Sequence, residues 1–201
     1  MSAVAGTRER LLEAARQLIE EGGYGTASVI AIAERAGLAA GTLYRHFGSK
    51  QELFVEVFRS VCDREVRAME AAAQAMPPAS RHVERLETVF ATFAERALRR
   101  RRLAWALLAE PVDPLVDAER LAYRERYAAL VARVLRAAIA AGELPEQKVE
   151  LTAAALVGGC GEALVGPLAP VGSGPSVDEV LIALRTFVRR AAGAPDPVAV
   201  G

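Results

Sequence analysis

The stretch 26–53, TASVIAIAERAGLAAGTLYRHFGSKQEL, constrains the fold of this chain more than any other. It predicts two short helices joined by a tight turn, followed by the capped start of a third. Ser28 is placed to cap the first helix, because a serine hydroxyl accepts a bond from an orphan amide of the first turn. Ile30, Ala33 and Ala36 then fall near helical spacing and give it an apolar stripe. Gly37 ends it, since glycine enters the left-handed conformation without a steric penalty. A second helix is expected from Ala40 to Phe47. Leu43, His46 and Phe47 point back at the first helix, and Thr42, Tyr44 and Arg45 lie on the other face. Gly48 interrupts the chain again, and Ser49 with Glu52 has the spacing of a capping box. Ala33 followed by Gly37 provides the small residues that two steeply crossing helices need, which is the geometry of a helix-turn-helix.

The ordered string AIAERAGLAAGTLYRHFGSKQEL resembles the DNA-binding segment of TetR-family transcriptional repressors. The preceding TRERLLEAARQLIEEGGYGTASV is similar to that family's first helix and its Gly-Tyr-x-x-Thr-x-x-Val link. The likeness covers the first quarter of the chain; the remainder matches the family only in being helical. The resemblance implies an all-α fold: a three-helix DNA-binding domain over residues 1–52 and a larger helical domain for effector binding and dimerisation over 53–194, about nine helices in total. A disordered tail is expected over 195–201.

Composition agrees with a helical, non-coating DNA binder. Hydrophobic residues make up 52% of the 201, aromatics only 5%, and 25 basic residues balance 25 acidic ones. A strongly basic nucleic-acid coat is excluded by that balance. Between Arg35 and Gln51, however, the ionised residues are Arg35, Arg45 and Lys50, with no carboxylate. A small positive footprint on a neutral body suits local DNA contact. Cys62 and Cys160 stand far apart, so no disulfide framework or metal spacing follows, and both read as buried small hydrophobes. The first ten residues lack the apolar core of a signal sequence. Residues 151–172 carry one charge, Glu162, but Pro167 and Pro170 and the Gly/Ala content favour a buried helix over a lipid-crossing one.

Along the chain, residues 1–6 read as a loose tail. A helix from Thr7 to Glu21 carries Leu11, Leu12, Ala15, Leu18 and Ile19 on one face, and Tyr24 packs in the link that follows. A long helix runs from the Ser49 cap to Met76, closed by Pro77 and Pro78. Another spans Ser80 to Arg102 and ends in Arg99, Arg100, Arg101 and Arg102. That run offers either a second DNA contact or cations favourably placed at a helix C-terminus, and the latter is preferred. A short helix, Leu103–Ala109, carries Trp105. Asp113 and Pro114 start the next, with Leu121, Tyr123, Tyr127, Leu130, Val131, Val134 and Leu135 apolar, ending at Gly142. The eighth spans Pro145 to Val165, apolar nearly all round, with Gly158 and Gly159 suited to a close backbone approach. Ser176 and Glu179 form a second capping box before the last helix.

A helix buried all round must be covered by something. Two such helices from each of two copies make a four-helix bundle, and the family resemblance implies the same dimer. The expected interface is Leu156, Gly158, Gly159, Val180, Leu181, Leu184 and Phe187. Two-fold symmetry then sets two reading heads about 34–36 Å apart on a palindromic duplex. The DNA-facing set is Ser28, Ala39, Ala40, Gly41, Thr42, Tyr44, Arg45, His46 and Lys50. By resemblance, Thr42, Tyr44 and Lys50 hold phosphate. Arg45 reads guanine or adds a phosphate contact, and His46 packs or touches a base. Ala39 stands where the family often has serine, and Ala40 offers only a methyl group, which leaves few polar groups for base readout.

The resemblance further implies a small-molecule pocket whose filling moves the heads. Phe90, Phe93, Trp105, Tyr123 and Tyr127 are its candidate aromatic lining. Glu162, expected to be buried, needs a partner: a cationic or hydroxylated ligand, or a neighbouring arginine. The expected function is a dimeric, cytoplasmic, bacterial DNA-binding regulator, a repressor released by a small apolar or aromatic effector. A regulator governed by a protein partner is the alternative. No cofactor, metal or membrane contact is expected. An enzyme is disfavoured, because no nucleophile–base pair, metal spacing or phosphate loop is visible.

Overall fold

The computed structural model describes residues 2–111, 113–169 and 174–195, with side chains from residue 6 onward. Among the described residues the regular structure is helical: α1 (Ser2–Gly22), a 3₁₀ turn (Tyr24–Thr26), α2 (Val29–Arg35), α3 (Gly41–His46), α4 (Lys50–Gln74), α5 (His82–Arg99), α6 (Arg101–Leu108), α7 (Pro114–Ala140), α8 (Val149–Leu168) and α9 (Val177–Ala191). The loose tail over 1–6 is corrected for residues 2–6, since α1 already runs from Ser2. Of the expected disordered tail, 196–201 lies outside the described residues. Ala194 just before it is buried, held by a glycine cap at Gly193.

Most boundaries follow from their caps. Ser28 accepts from Ala31 N–H at 3.1 Å. Gly37 takes φ +64°, and the amides of Gly37 and Leu38 reach back to Glu34 O and Ala33 O. That pair of bonds is a Schellman motif, which satisfies the orphan carbonyls of α2. Ser49 accepts from Glu52 N–H, but the Glu52 carboxylate reaches Gly48 N–H instead of Ser49, so the expected reciprocal box is displaced by one residue. The box at Ser176 and Glu179 is complete. The first turn of α5 is held from elsewhere: Glu143, just past the Gly142 turn, accepts from both His82 N–H and Val83 N–H at 3.0 Å.

Two hydrophobic cores result. The amino-terminal one joins Leu11, Ile19, Ile32, Leu43 and Phe47 to Leu53, Val57 and Phe58 of α4, and also takes Leu103, Leu107 and Tyr123. The expected boundary at 52/53 therefore cuts through this core. The second core packs α5, α7, α8 and α9 together. Across it, Arg189 Nε lies 2.6 Å from Glu87 Oε1, a nearly buried ion pair whose geometry is not that of a hydrogen bond.

Several faces differ from expectation. Ile30 is 62% exposed, and the inward face of α2 is Ile32, Ala33 and Ala36. Leu121 of α7 is likewise exposed. On α8, Ala153, Leu156, Cys160, Leu164 and Leu168 point inward, whereas Leu151 on the opposite face is 72% exposed. This helix is long and apolar enough to cross a membrane by length and composition. Its inward stripe instead lies in the core, and Pro167 sits in its last turn.

Candidate DNA interface and cavity

The helix-turn-helix presents α3 outward by burying the other side of it. Leu43 and Phe47 are in the core, while Tyr44 is 58% exposed and Arg45 is exposed beside it. Thr42, expected on the outer face, is 8% exposed, and its Oγ1 accepts from Arg45 Nη2 at 3.1 Å. The threonine therefore serves to orient Arg45. His46 is half-buried, between the two roles open to it. Ser28, Ala39, Ala40 and Gly41 are exposed around the turn. Lys50 Nζ lies 5.2 Å from the centre of the Phe54 ring, which leaves the ammonium directed along the start of α4. Arg35 leaves the expected cluster, because Glu21 of α1 takes it in a two-pronged pair at 2.7 and 2.8 Å. Among the described residues Arg45 and Lys50 have no carboxylate partner, so the free positive charge of the window is theirs.

The arginine run after α5 is committed to structure. Arg99 pairs with Glu95, Arg100 lies 3.7 Å from Glu20, Arg101 reaches Pro167 O, and Arg102 donates to Gly22 O at 2.9 Å. The last three tie this segment to α1 and α8, whereas the Arg99 pair lies within α5. Of the four, only Arg99 sits on the last turn of a helix, as the dipole argument required.

Between α4, α5, α6, α7 and α8 lies a cavity of about 300 Å³. Phe90, Phe93, Tyr123 and Tyr127 line it, together with Phe58, Met69, Leu103 and Leu107. Trp105 does not; it packs partly buried against the second core. Glu162 lines the cavity edge but is exposed, and among the described residues no hydrogen bond or ion pair reaches it. The expectation of a buried, partnered carboxylate is therefore corrected.

Both cysteines also line this space, which spacing alone did not reveal. They are free and buried, and burial pushes each thiol up to about 12. Thiols held so far above neutrality are poor nucleophiles. Tyr123 Oη donates to Asp63 at 2.7 Å, and burial followed by that bond pushes the phenol up to about 12. Arg96, Arg100, Arg120 and Arg124 reach the wall. Arg96 is closed by Glu65 and Arg120 by Asp117, so the lining is mainly apolar with partly paired charge at its margin.

The expected subunit interface is only partly available. Leu156, Val180 and Leu184 are buried in the subunit's own core and have no surface to offer a second copy. Leu181 packs against the same core. Gly158 faces open space, whereas Gly159 lies under the Phe187 ring, where an added Cβ would come within 3.0 Å of it. No second backbone approaches either glycine in this subunit. The large apolar side chains that α8 and α9 leave exposed are Leu151, Val177, Ile182 and Phe187, at 72%, 44%, 66% and 43%.

The arrangement defines a class: a helix-turn-helix head with a cationic, aromatic outer face, carried on an all-helical body that encloses an apolar cavity. Residues 11–57 match the family model described as bacterial regulatory proteins, tetR family. Over those residues the chain is similar to the amino-terminal module of the TetR family. Over 90% of its length the chain is similar in fold to solved structures. The TetR-family transcriptional regulator PfmR from Thermus thermophilus superposes with a TM-score of 0.67 at 26% identity, covering 90% of this chain and 97% of that one. The regulator FadR from Bacillus subtilis, solved in complex with stearoyl-CoA, shares the fold at a TM-score of 0.77 and 20% identity, over 90% and 96%. In sequence, the repressor KstR of Rhodococcus jostii (strain RHA1) is 37% identical over 93 residues, 46% of this chain and 41% of that protein. The chain therefore matches less than half the length of such curated relatives.

Proposed function

We propose that this chain is a dimeric, sequence-specific DNA-binding regulator of the repressor type, released from its site by a small apolar ligand. One observation carries the first half. The exposed face of α3 offers a phenol and a guanidinium, Lys50 stands nearby, and no carboxylate neutralises them. Such donors fix a helix on the phosphate backbone, while Arg45, steadied by Thr42, is aimed as a fork that suits guanine. A protein of this kind works on DNA in the bacterial cytoplasm.

Two copies meeting through Leu151, Ile182 and Phe187 would hide the exposed apolar surface and repeat the head by a two-fold axis. The cavity supports the ligand half of the reading, since about 300 Å³ lies at the small end of ligand sites. The stearoyl-CoA held by the Bacillus relative makes fatty acyl thioesters the first class to try.

Duplexes captured from a random-sequence pool by the purified protein supply a binding site. Binding to them falls steeply with added salt, and Tyr44→Ala and Lys50→Ala each weaken it. Capture that is unchanged in both variants removes α3 from the interface.

A further inference from the structure

The corner joining α1 to α2 is gripped from outside the head. Arg102, in the first turn of α6, donates to Gly22 O at 2.9 Å, and Glu110, just beyond α6, accepts from Tyr24 N–H at 3.1 Å. Gly23 lies between them with φ +80°, and a Cβ there would stand 2.6 Å from Glu110 Oε2. The carboxylate occupies the room a side chain would need, so Gly23 is a socket as well as a turn. Past this point Tyr24 turns into the core, where its ring lies 5.1 Å from that of Phe54 on α4.

Glu110 is itself held by a residue of the cavity. Arg120 Nη2 donates to Glu110 O at 2.6 Å and to Ala106 O at 2.8 Å, and its Nε donates to Leu107 O at 2.8 Å. One guanidinium thus takes the carbonyls left without partners at the end of α6. Arg120 and Leu107 both line the cavity. The path from cavity to head is therefore three residues long: Arg120, Glu110 and the backbone of Tyr24. Each link is a hydrogen bond with a charged side chain at one end, stronger and more directional than a neutral one.

We propose that Arg120 and Glu110 act as a clasp through which an occupant of the cavity alters the setting of the DNA-binding head. They are positioning residues: neither lies on the DNA face, and Glu110 does not line the cavity. An occupant that pushes on Leu107 or draws Arg120 away shifts the end of α6, and the carboxylate carries the Gly22–Tyr24 corner with it. The inference rests on the cavity being the effector site. The clasp supplies the differential contact that any such shift of population requires.

The test uses the full chain, a captured duplex and stearoyl-CoA as the probe, with three proteins: wild type, Glu110→Ala and Glu110→Gln. The amide of the glutamine variant keeps an acceptor for Tyr24 N–H, and alanine removes it. In the wild type the saturating probe weakens DNA binding at least tenfold. Glu110→Ala binds the probe within twofold of wild type, yet its DNA affinity changes less than threefold on saturation, and Glu110→Gln restores most of the response. An alanine variant that responds as fully as wild type overturns the clasp. Hydrogen exchange over residues 22–36 tests the same contact without any ligand. Glu110→Ala speeds exchange there at least tenfold and Glu110→Gln does not; equal rates in all three proteins overturn it. A wild type that ignores the probe while the exchange result holds removes stearoyl-CoA as the effector and leaves the clasp standing.

Discussion

The head and the body of this molecule use the same helices differently. In the head, the short α2 and α3 are bounded by local devices, the Ser28 cap and the Gly37 turn, and the Ser49 cap starts α4, around fully buried Leu11, Ile32 and Leu43. In the body, long helices stand apart around a cavity, and their polar groups are satisfied across large sequence distances, as with Glu143 on α5 and Arg120 on α6. The difference teaches where rigidity is kept. The part that presents α3 is fixed mainly by nearby residues, and the part that holds the cavity by distant ones.

Substitutions at matched depth break or sharpen this contrast. Leu43→Ala, in the head, should cost about 3 kcal/mol of stability in urea titration, since the packed site cannot collapse around the lost atoms. Glu87→Ala should cost about as much in the body, roughly 3 kcal/mol, because it strands Arg189 beside the core. Lys50→Ala should leave stability within about 0.5 kcal/mol while reducing the slope of log affinity against log salt by about 1. Ser28→Ala and Ser176→Ala should each cost about 1 kcal/mol, in the head and the body respectively. Phe93→Ala, on the cavity wall, should cost about 1 kcal/mol or less, below the usual range for a buried aromatic. A cost equal to that of Leu43→Ala would show the cavity to be as tightly filled as the head.

Acid should act on both parts alike. The bond from Arg16 holds Glu13 down to about 2 from the ordinary 4.5, against a smaller opposing effect of burial. Asp63 is lowered first by Tyr123, with burial opposing and Arg126 assisting. Carboxyls lowered in the folded state stabilise it fully above their ordinary pKa and lose that contribution as pH falls through the folded value. Thermal midpoints should therefore be flat above about pH 5 and decline toward pH 2. Asp63→Asn should flatten part of that decline.

Sequence made the head legible because its information is local. Caps, glycines and the inward pair Leu43 and Phe47 sit within a few residues of what they act on. The errors there, Ile30 and Thr42, came from helices so short that a shift of one position exchanges inside for outside. In the body the same patterning predicted the helices but misassigned their faces. Leu156, Val180 and Leu184 have the spacing of an interface, and that spacing equally describes an inward stripe; only packing tells them apart. Trp105 was placed in the cavity by its aromatic character, and Cys62 and Cys160 were left out by theirs. The clasp was invisible for a plainer reason. Glu110 and Arg120 belong to no pattern, and what joins them to Tyr24 is main-chain geometry.

The four arginines from Arg99 to Arg102 carry one last implication. Read as a string they look like a polyanion-binding tag, yet each guanidinium already has a partner: Glu95 for Arg99, α1 for Arg100 and Arg102, and Pro167 O for Arg101. Their charge is spent inside the architecture, so retention on heparin should depend on Arg45 and Lys50 and change little when Arg99 or Arg101 is replaced by glutamine. The molecule's basicity is better counted by which cations are idle than by how many it has.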